Sequence, residues 1–204
     1  RVNELVISGA INQPVTAKAG LIGQNLTSTT SSQTAFNFSS VRPFLFFDGT
    51  YTSDATSTSW GTTLEDIVSF DITLRNNLVS DDNARRIGSK FVRLLPPGQR
   101  EVMLSIAQRF DTMTAFESWL AATSASIRLH LDSLVTIGSA AGNTTYSMRF
   151  DFRNVRLHDG VVPQIGDNGI LMTSIELHGI TVDTVPSTTS NEMTCVIFTS
   201  LATL

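Results

Sequence analysis

Few residues along this chain are equipped for chemistry, and their spacing suits little of it. The three histidines, His130, His158 and His178, stand apart from one another and from the single cysteine, Cys195. None lies two to four residues from another His or Cys, the separation that builds metal-ligand pairs. Neither Gly-x-Ser-x-Gly nor Gly-x-x-x-x-Gly-Lys occurs, so the sequence signs of a nucleophile elbow and a phosphate loop are missing. Carboxylate pairs stand at Glu65-Asp66 and Asp81-Asp82. Read as strand residues, Glu65 and Asp66 point to opposite faces, poor geometry for paired acid and base work. Asp81-Asp82 precedes Arg85-Arg86 and reads as a local charge network. Cys195 sits in Met193-Thr-Cys-Val-Ile-Phe198, an apolar strand pattern, and reads as a buried structural thiol. One cysteine also excludes an intramolecular disulfide. These residues point to no catalytic group, no metal and no cofactor.

The elements that carry them are mostly strands. Phe70, Ile72 and Leu74 point one way while Asp71, Thr73 and Arg75 point the other. Val102, Leu104, Ile106 and Phe110 line one face of the next strand, leaving Ser105 and Arg109 opposite. Ile127, Leu129 and Leu131 follow, with His130 on their polar side. Then come Tyr146, Met148, Phe150 and Phe152, with Ser147, Arg149, Asp151 and Arg153 opposite. After Asn154 the phase flips to Val155 and Leu157, as a β-bulge produces. Leu171, Thr173, Ile175 and Leu177 form a further strand, with His178 sharing a face with Glu176; Met193–Thr199 is the last. Near the start, Glu4–Ser8 and the alternation of Val15, Ala17, Ala19 and Leu21 predict a hairpin.

Other segments change character. The Ser/Thr run Thr27–Ser32 and the loop Thr52–Ser59 before Trp60 read as solvated or partner-ordered. Pro43 argues against a central strand there, and Asp48-Gly49 is a turn signal. Thr114-Ala-Phe-Glu117 matches a capping box, and Met113, Phe116 and Leu120 share one helical face, predicting a short α-helix over about 112–122. Residues 1–60 thus hold N-terminal strands and long polar loops, and 61–204 the main β domain. The expected fold class is mainly β, a sandwich or barrel with that one flanking helix.

The chain of 204 residues is 41% hydrophobic and 16% charged, enough apolar material for a core with fewer charges than usual. Net charge is −4 and pI near 5.3, which disfavours a general nucleic-acid binder. No apolar run is long enough to span a membrane. The chain starts at Arg1 without an initiator Met, consistent with processing or an N-terminal portion outside the numbered sequence.

Residues 78–100 form the longest irregular connection and collect Arg85, Arg86, Lys90, Arg93 and Arg100. Such a loop could neutralise phosphates, dock on an acidic surface of a neighbouring copy, or simply be solvated. Only Phe91 offers aromatic interleaving, against single-strand binding. A carbohydrate- or receptor-binding sandwich on a virion surface is an alternative, with Tyr51 and Trp60 as its loop aromatics. A hydrolase on a β-scaffold is a third.

Val68-Ser-Phe-Asp-Ile-Thr-Leu-Arg-Asn-Asn77, Arg86-Ile-Gly-Ser89, Glu101-Val-Met-Leu-Ser-Ile-Ala-Gln-Arg-Phe110 and Ile127-Arg-Leu-His-Leu131 together resemble long-tailed, siphophage-type bacteriophage tail tube proteins. So do the Tyr146–Phe152 strand, Val155-Arg-Leu157 and Asp167-Asn-Gly169. Arg1-Val-Asn-Glu-Leu-Val-Ile7 with Val15-Thr-Ala-Lys18 resembles the middle of such a protein, which implies a missing N-terminal portion. The resemblance implies a structural subunit in the virion tail, assembled in the host cytoplasm. It implies six domains per ring, as a hexamer or a pseudo-hexameric trimer, with rings stacked head to tail and genome DNA passing through unbound. It also implies tape measure, terminator and distal tail proteins as partners. Within it, the polar strand faces make Asp71, Thr73, Arg75, Ser105 and Arg109 the lumen-lining candidates. Arg85, Arg86, Lys90 and Arg93 become the inter-subunit contact candidates.

Overall fold

A computed structural model describes residues 1–23, 42–54, 60, 62–63, 66–79, 87, 98–109, 125–140, 143–157, 164–165, 171–179 and 193–198. Within them the strands are β1 (Val2–Ala10), β2 (Thr16–Leu21), β3 (Gly49–Asp54), β4 (Thr62–Thr63), β5 (Ile67–Arg75), β6 (Glu101–Arg109), β7 (Ala125–Ala140), β8 (Asn143–Leu157), β9 (Gln164–Ile165), β10 (Leu171–Gly179) and β11 (Met193–Phe198). A single 3₁₀ turn, Phe46–Asp48, precedes β3. The predicted helix over 112–122 lies outside the described residues.

All the strands belong to one antiparallel path, β2-β1-β5-β6-β10-β8-β7-β3-β4, with β9 beside β10 and β11 beside β8. The path bends where β10 passes to β8, because only Leu177–Gly179 pair with Val155–Leu157. The bend turns the two halves face to face as a sandwich-like fold. On the opposite side a Pro14–Leu45 bridge, with Val15 N donating to Phe44 O at 2.8 Å and Phe46 N to Gln13 O at 3.1 Å, ties the halves together.

The core is what the alternation predicts. Phe70, Ile72, Val102, Leu104, Ile106, Ile175 and Leu177 face Ile127, Leu129, Leu131, Phe150 and Phe152 across the interior. At its centre the Phe70 ring stacks on Phe46 (centroids 6.2 Å) and meets Tyr51 edge-on (5.7 Å), joining both halves and the 3₁₀ turn. Gly9 lies beneath it. A Cβ there would sit 2.5 Å from Phe70 Cε1, so only glycine leaves room for the ring.

Two register shifts explain phase changes. Ala125 pairs Val155 while Ile127 pairs Phe152, so β8 carries one extra residue there, the expected bulge, and Val155 re-enters the core. A second shift between Ile67 and Ser69 turns Ile67 inward although its parity is odd.

Several expectations are corrected. Thr52 is part of β3 and not the start of a loop, because β7 offers it a pairing edge. Tyr51 is therefore a core residue, 5% exposed. Asp66 does not continue a strand: it adopts φ 64° just before β5, and its carbonyl accepts from Arg109 N at 2.9 Å. The hairpin expected from Glu4–Ser8 and Val15–Leu21 is present as β1 and β2, and β2, at the edge among the described strands, is exposed throughout. Cys195 is exposed, not buried; among the described strands β11 pairs with β8 alone, and the burial its thiol does have pushes its pKa up.

Tyr51 carries a measurable consequence. Its hydroxyl is buried without a hydrogen-bond partner, and burial, helped by the Asp71 charge, raises its pKa well above the ordinary value. The folded state therefore keeps the phenol neutral. That stabilisation is fully present below the unfolded pKa of about 10 and is lost as pH rises through the higher folded value. Tyr51→Phe is predicted to match or exceed the parent at neutral pH by about 1 kcal/mol. It should also flatten the alkaline branch of a denaturation-midpoint profile; a variant as alkali-sensitive as the parent would contradict the assignment.

Candidate functional site

The outward face of β2-β1-β5-β6-β10 is built row by row from the register. Thr16, Ser8, Asp71, Ser105 and Glu176 stand opposite one another across the five strands. The next row is Lys18, Val6, Thr73, Met103 and His178. The third runs Gly20, Glu4, Arg75 and Glu101. All five lumen candidates lie on this one face: Asp71, Thr73 and Arg75 on β5, Ser105 and Arg109 on β6, with Arg109 opposite Met172.

Its charges are nearly balanced: Glu4, Asp71, Glu101 and Glu176 against Lys18, Arg75 and Arg109. Arg75 lies between two carboxylates, Nε 2.9 Å from Glu4 Oε1 and Nη1 3.6 Å from Glu101 Oε2. The Glu4 hydrogen bond raises the guanidinium pKa, holding the cation charged and paired. The Ser8 and Thr16 hydroxyls lie 2.9 Å apart, and His178 Nε2 lies 3.0 Å from Glu176 Oε1. Short polar side chains and paired ions make this surface hydrophilic without a strong field of either sign.

The outward face of the other half is built differently. Arg128 reaches Asp151 with two hydrogen bonds, Nε to Oδ1 at 2.6 Å and Nη2 to Oδ2 at 3.0 Å. Arg149 Nε lies 3.4 Å from the same carboxylate. Asp151 is only 1% exposed, and the Trp60 ring lies 4.2 Å from the Arg128 guanidinium carbon. The alternation of β8 predicted a wet position at Asp151. Instead β7 and β11 flank it on both sides, with Arg128 and Thr194 directly opposite. Sequence parity identified Asp151 as polar-facing but missed its partners, which only cross-strand register brings together.

Trp60 is committed to that stack and Tyr51 to the core, so neither supplies a free aromatic platform for sugar binding. Arg85, Arg86, Lys90 and Arg93 lie outside the described residues, while Arg100, at the end of the same loop, is exposed. Among the described residues no cluster of three or more His, Cys, Asp or Glu is placed to hold a metal ion.

A sheet with a packed inner face and an ion-balanced outer face is wall architecture. The sequence matches the family described as phage tail tube protein over residues 1–179. The chain belongs to the phage tail tube protein family. A search of curated proteins found no match. Family membership makes the chain a structural component of the virion tail, a viral protein that associates with itself and with other tail proteins.

In this tail tube subunit the two outward faces should respond differently to substitution. Asp151→Ala leaves the Arg128 and Arg149 cations without their shared carboxylate and is predicted to cost about 3 kcal/mol of unfolding free energy. Arg75→Ala removes an exposed pair and should leave the unfolding midpoint nearly unchanged. Equal effects in urea titrations would contradict this division.

Proposed function

We propose that this subunit assembles into rings of six β domains, as hexamers or pseudo-hexameric trimers. The rings stack into a siphophage-type tube whose channel conducts the genome. In this reading the outward face of the β2-β1-β5-β6-β10 sheet lines the channel, with Asp71, Thr73, Arg75, Ser105 and Arg109 in contact with its water. The observation that carries the assignment is the charge balance of that face, with Arg75 held between Glu4 and Glu101. A cationic lining would collect phosphates and release counterions, binding DNA in a salt-dependent way. A balanced lining lets the duplex slide.

Ring closure also accounts for the exposed edge strand β2. An unpaired edge invites uncontrolled association, and pairing it with a neighbour around a closed rotation removes the hazard. The basic residues Arg85, Arg86, Lys90 and Arg93 act in this reading as contacts between copies. Tape measure, terminator and distal tail proteins meet the finished tube at its core and ends, and assembly proceeds in the host cytoplasm.

Electron microscopy of the concentrated protein should show rings or tubes with an axial channel, and reversing Arg85, Arg86 and Lys90 to Glu should leave folded subunits that do not assemble. A parent protein that stays monomeric at high concentration would count against the tube reading; normal tubes from the reversed variant would remove only the basic-loop contact. Separately, Asp71→Lys with Glu176→Lys should give tubes that retain duplex DNA at low salt and release it as salt rises. Tubes with no added DNA affinity would take this face out of the channel.

A further inference from the structure

Apart from Ile87 and Ile197, the exposed large hydrophobic residues among those described gather at the two ends of the β2-β1-β5-β6-β10 sheet. One end carries Ile11, in the β1–β2 turn, and Phe47 in the 3₁₀ turn tied to it. The other carries Val2 and Leu21, which face each other across β1 and β2, and Val79. Val79 follows Leu78, whose amide donates to Asn3 Oδ1 at 2.8 Å.

Phe47 is presented rather than merely exposed. Asp48, whose side chain is 3% exposed, accepts from Arg42 Nη2 at 2.9 and 3.2 Å and from Leu45 N at 2.8 Å. The same Arg42 guanidinium lies 5.3 Å from the centre of the Phe47 ring. Phe46, its neighbour, is anchored on Phe70 in the core. Both faces of the turn are therefore fixed, yet the Phe47 side of it is left 67% exposed. The far end is equally stiff: Asn76 N donates to Asn3 O at 2.8 Å, Asn76 Nδ2 to Val2 O at 3.0 Å, and Ile22 N to Arg1 O at 2.9 Å.

We infer that these two ends are the axial contact between successive copies. The Phe47 end of one subunit packs on the Val2–Leu21–Val79 end of a subunit in the next ring. This rests on the tube reading above. The occupant is a second copy because the two patches are unlike and lie at opposite ends of one sheet. A contact between them is heterologous and repeats in one direction without closing, which builds a filament. Each patch offers only two or three apolar side chains, well short of a standard stable interface, so single subunits do not pair through it. A ring makes all its contacts at once, and the added valency holds the stack. Being apolar, the contact resists salt, unlike one made by the basic loop.

The test uses Phe47→Ser and Leu21→Ser in the full chain, with particles counted by electron microscopy after purification in high salt. Leu21 is 71% exposed, so neither change removes core packing. Each variant alone should form rings at parental yield but lose long stacks, because every contact around the ring gives up a large apolar side chain at once. Mixing preformed rings of the two variants should give paired rings, because one intact end remains on each, and no long tubes. Normal tubes from both variants would overturn the axial contact while leaving the tube reading in place. Loss of ring formation in either folded variant would also overturn it, by moving the residue to the contact within a ring. A parent that makes no rings would fail the tube reading itself. If one variant does not fold, by circular dichroism, the other decides alone.

Discussion

The arrangement hangs on the space that Gly9 leaves under the Phe70 ring. Phe70 is fully enclosed, with the bare backbone of Gly9 on one side, Tyr51 of the opposite half edge-on, and Phe46 stacked against it. One ring thereby joins β1, β5, β3 and the turn before β3. Aromatic side chains bury more apolar area than any others and hold a preferred geometry, so this contact sets how the halves face each other. Once Phe70 points inward, period-two geometry sends Asp71, Thr73 and Arg75 outward. The same packing anchors Phe46 and so leaves Phe47 pointing away from the core.

The two outward faces show how a sheet protein can use polar residues for different ends. Around Asp71 and Arg75 the side chains are short or paired at the surface, where ion pairs contribute little stability and mainly cancel charge. Around Asp151 the carboxylate is withdrawn from water and held by Arg128 and Arg149, with Trp60 over Arg128. A buried charge keeps its place only while its partners do, so this cluster fixes the register of β7 against β8. In the function proposed above both have a use: a rigid wall, and one surface whose charge has no preference for a polymer passing it.

Much of the wall was legible residue by residue. The inward sets of β5, β6, β7 and β10 and the bulge after Phe152 follow from alternation and phase, which are local properties of the chain. The lumen candidates emerged on one face for the same reason, since parity alone assigns a face once a strand is recognised. What misled was always a neighbour. Thr52 and Tyr51 looked like loop because their short, polar surroundings carry weak strand propensity, yet β7 pairs with them. Cys195 looked buried because its segment Met193–Phe198 reads as an apolar strand, yet the paired strand leaves it exposed.

The sequence by itself determined that this is a β-wall with an apolar and a polar side, poor in catalytic spacing, and similar in its strand and turn patterns to phage tail tube proteins. Tertiary structure alone decided which polar residues meet. Glu4 is far in sequence from Arg75, as Arg128 is from Asp151. It also decided that five of the exposed large apolar residues among those described, Val2, Ile11, Leu21, Phe47 and Val79, fall at opposite ends of one sheet. The reason is that alternation fixes the face a side chain takes, whereas partners across strands depend on pairing register. Register is set jointly by the core packing around Phe70, the bulges at Val68 and after Phe152, and the bend from β10 to β8.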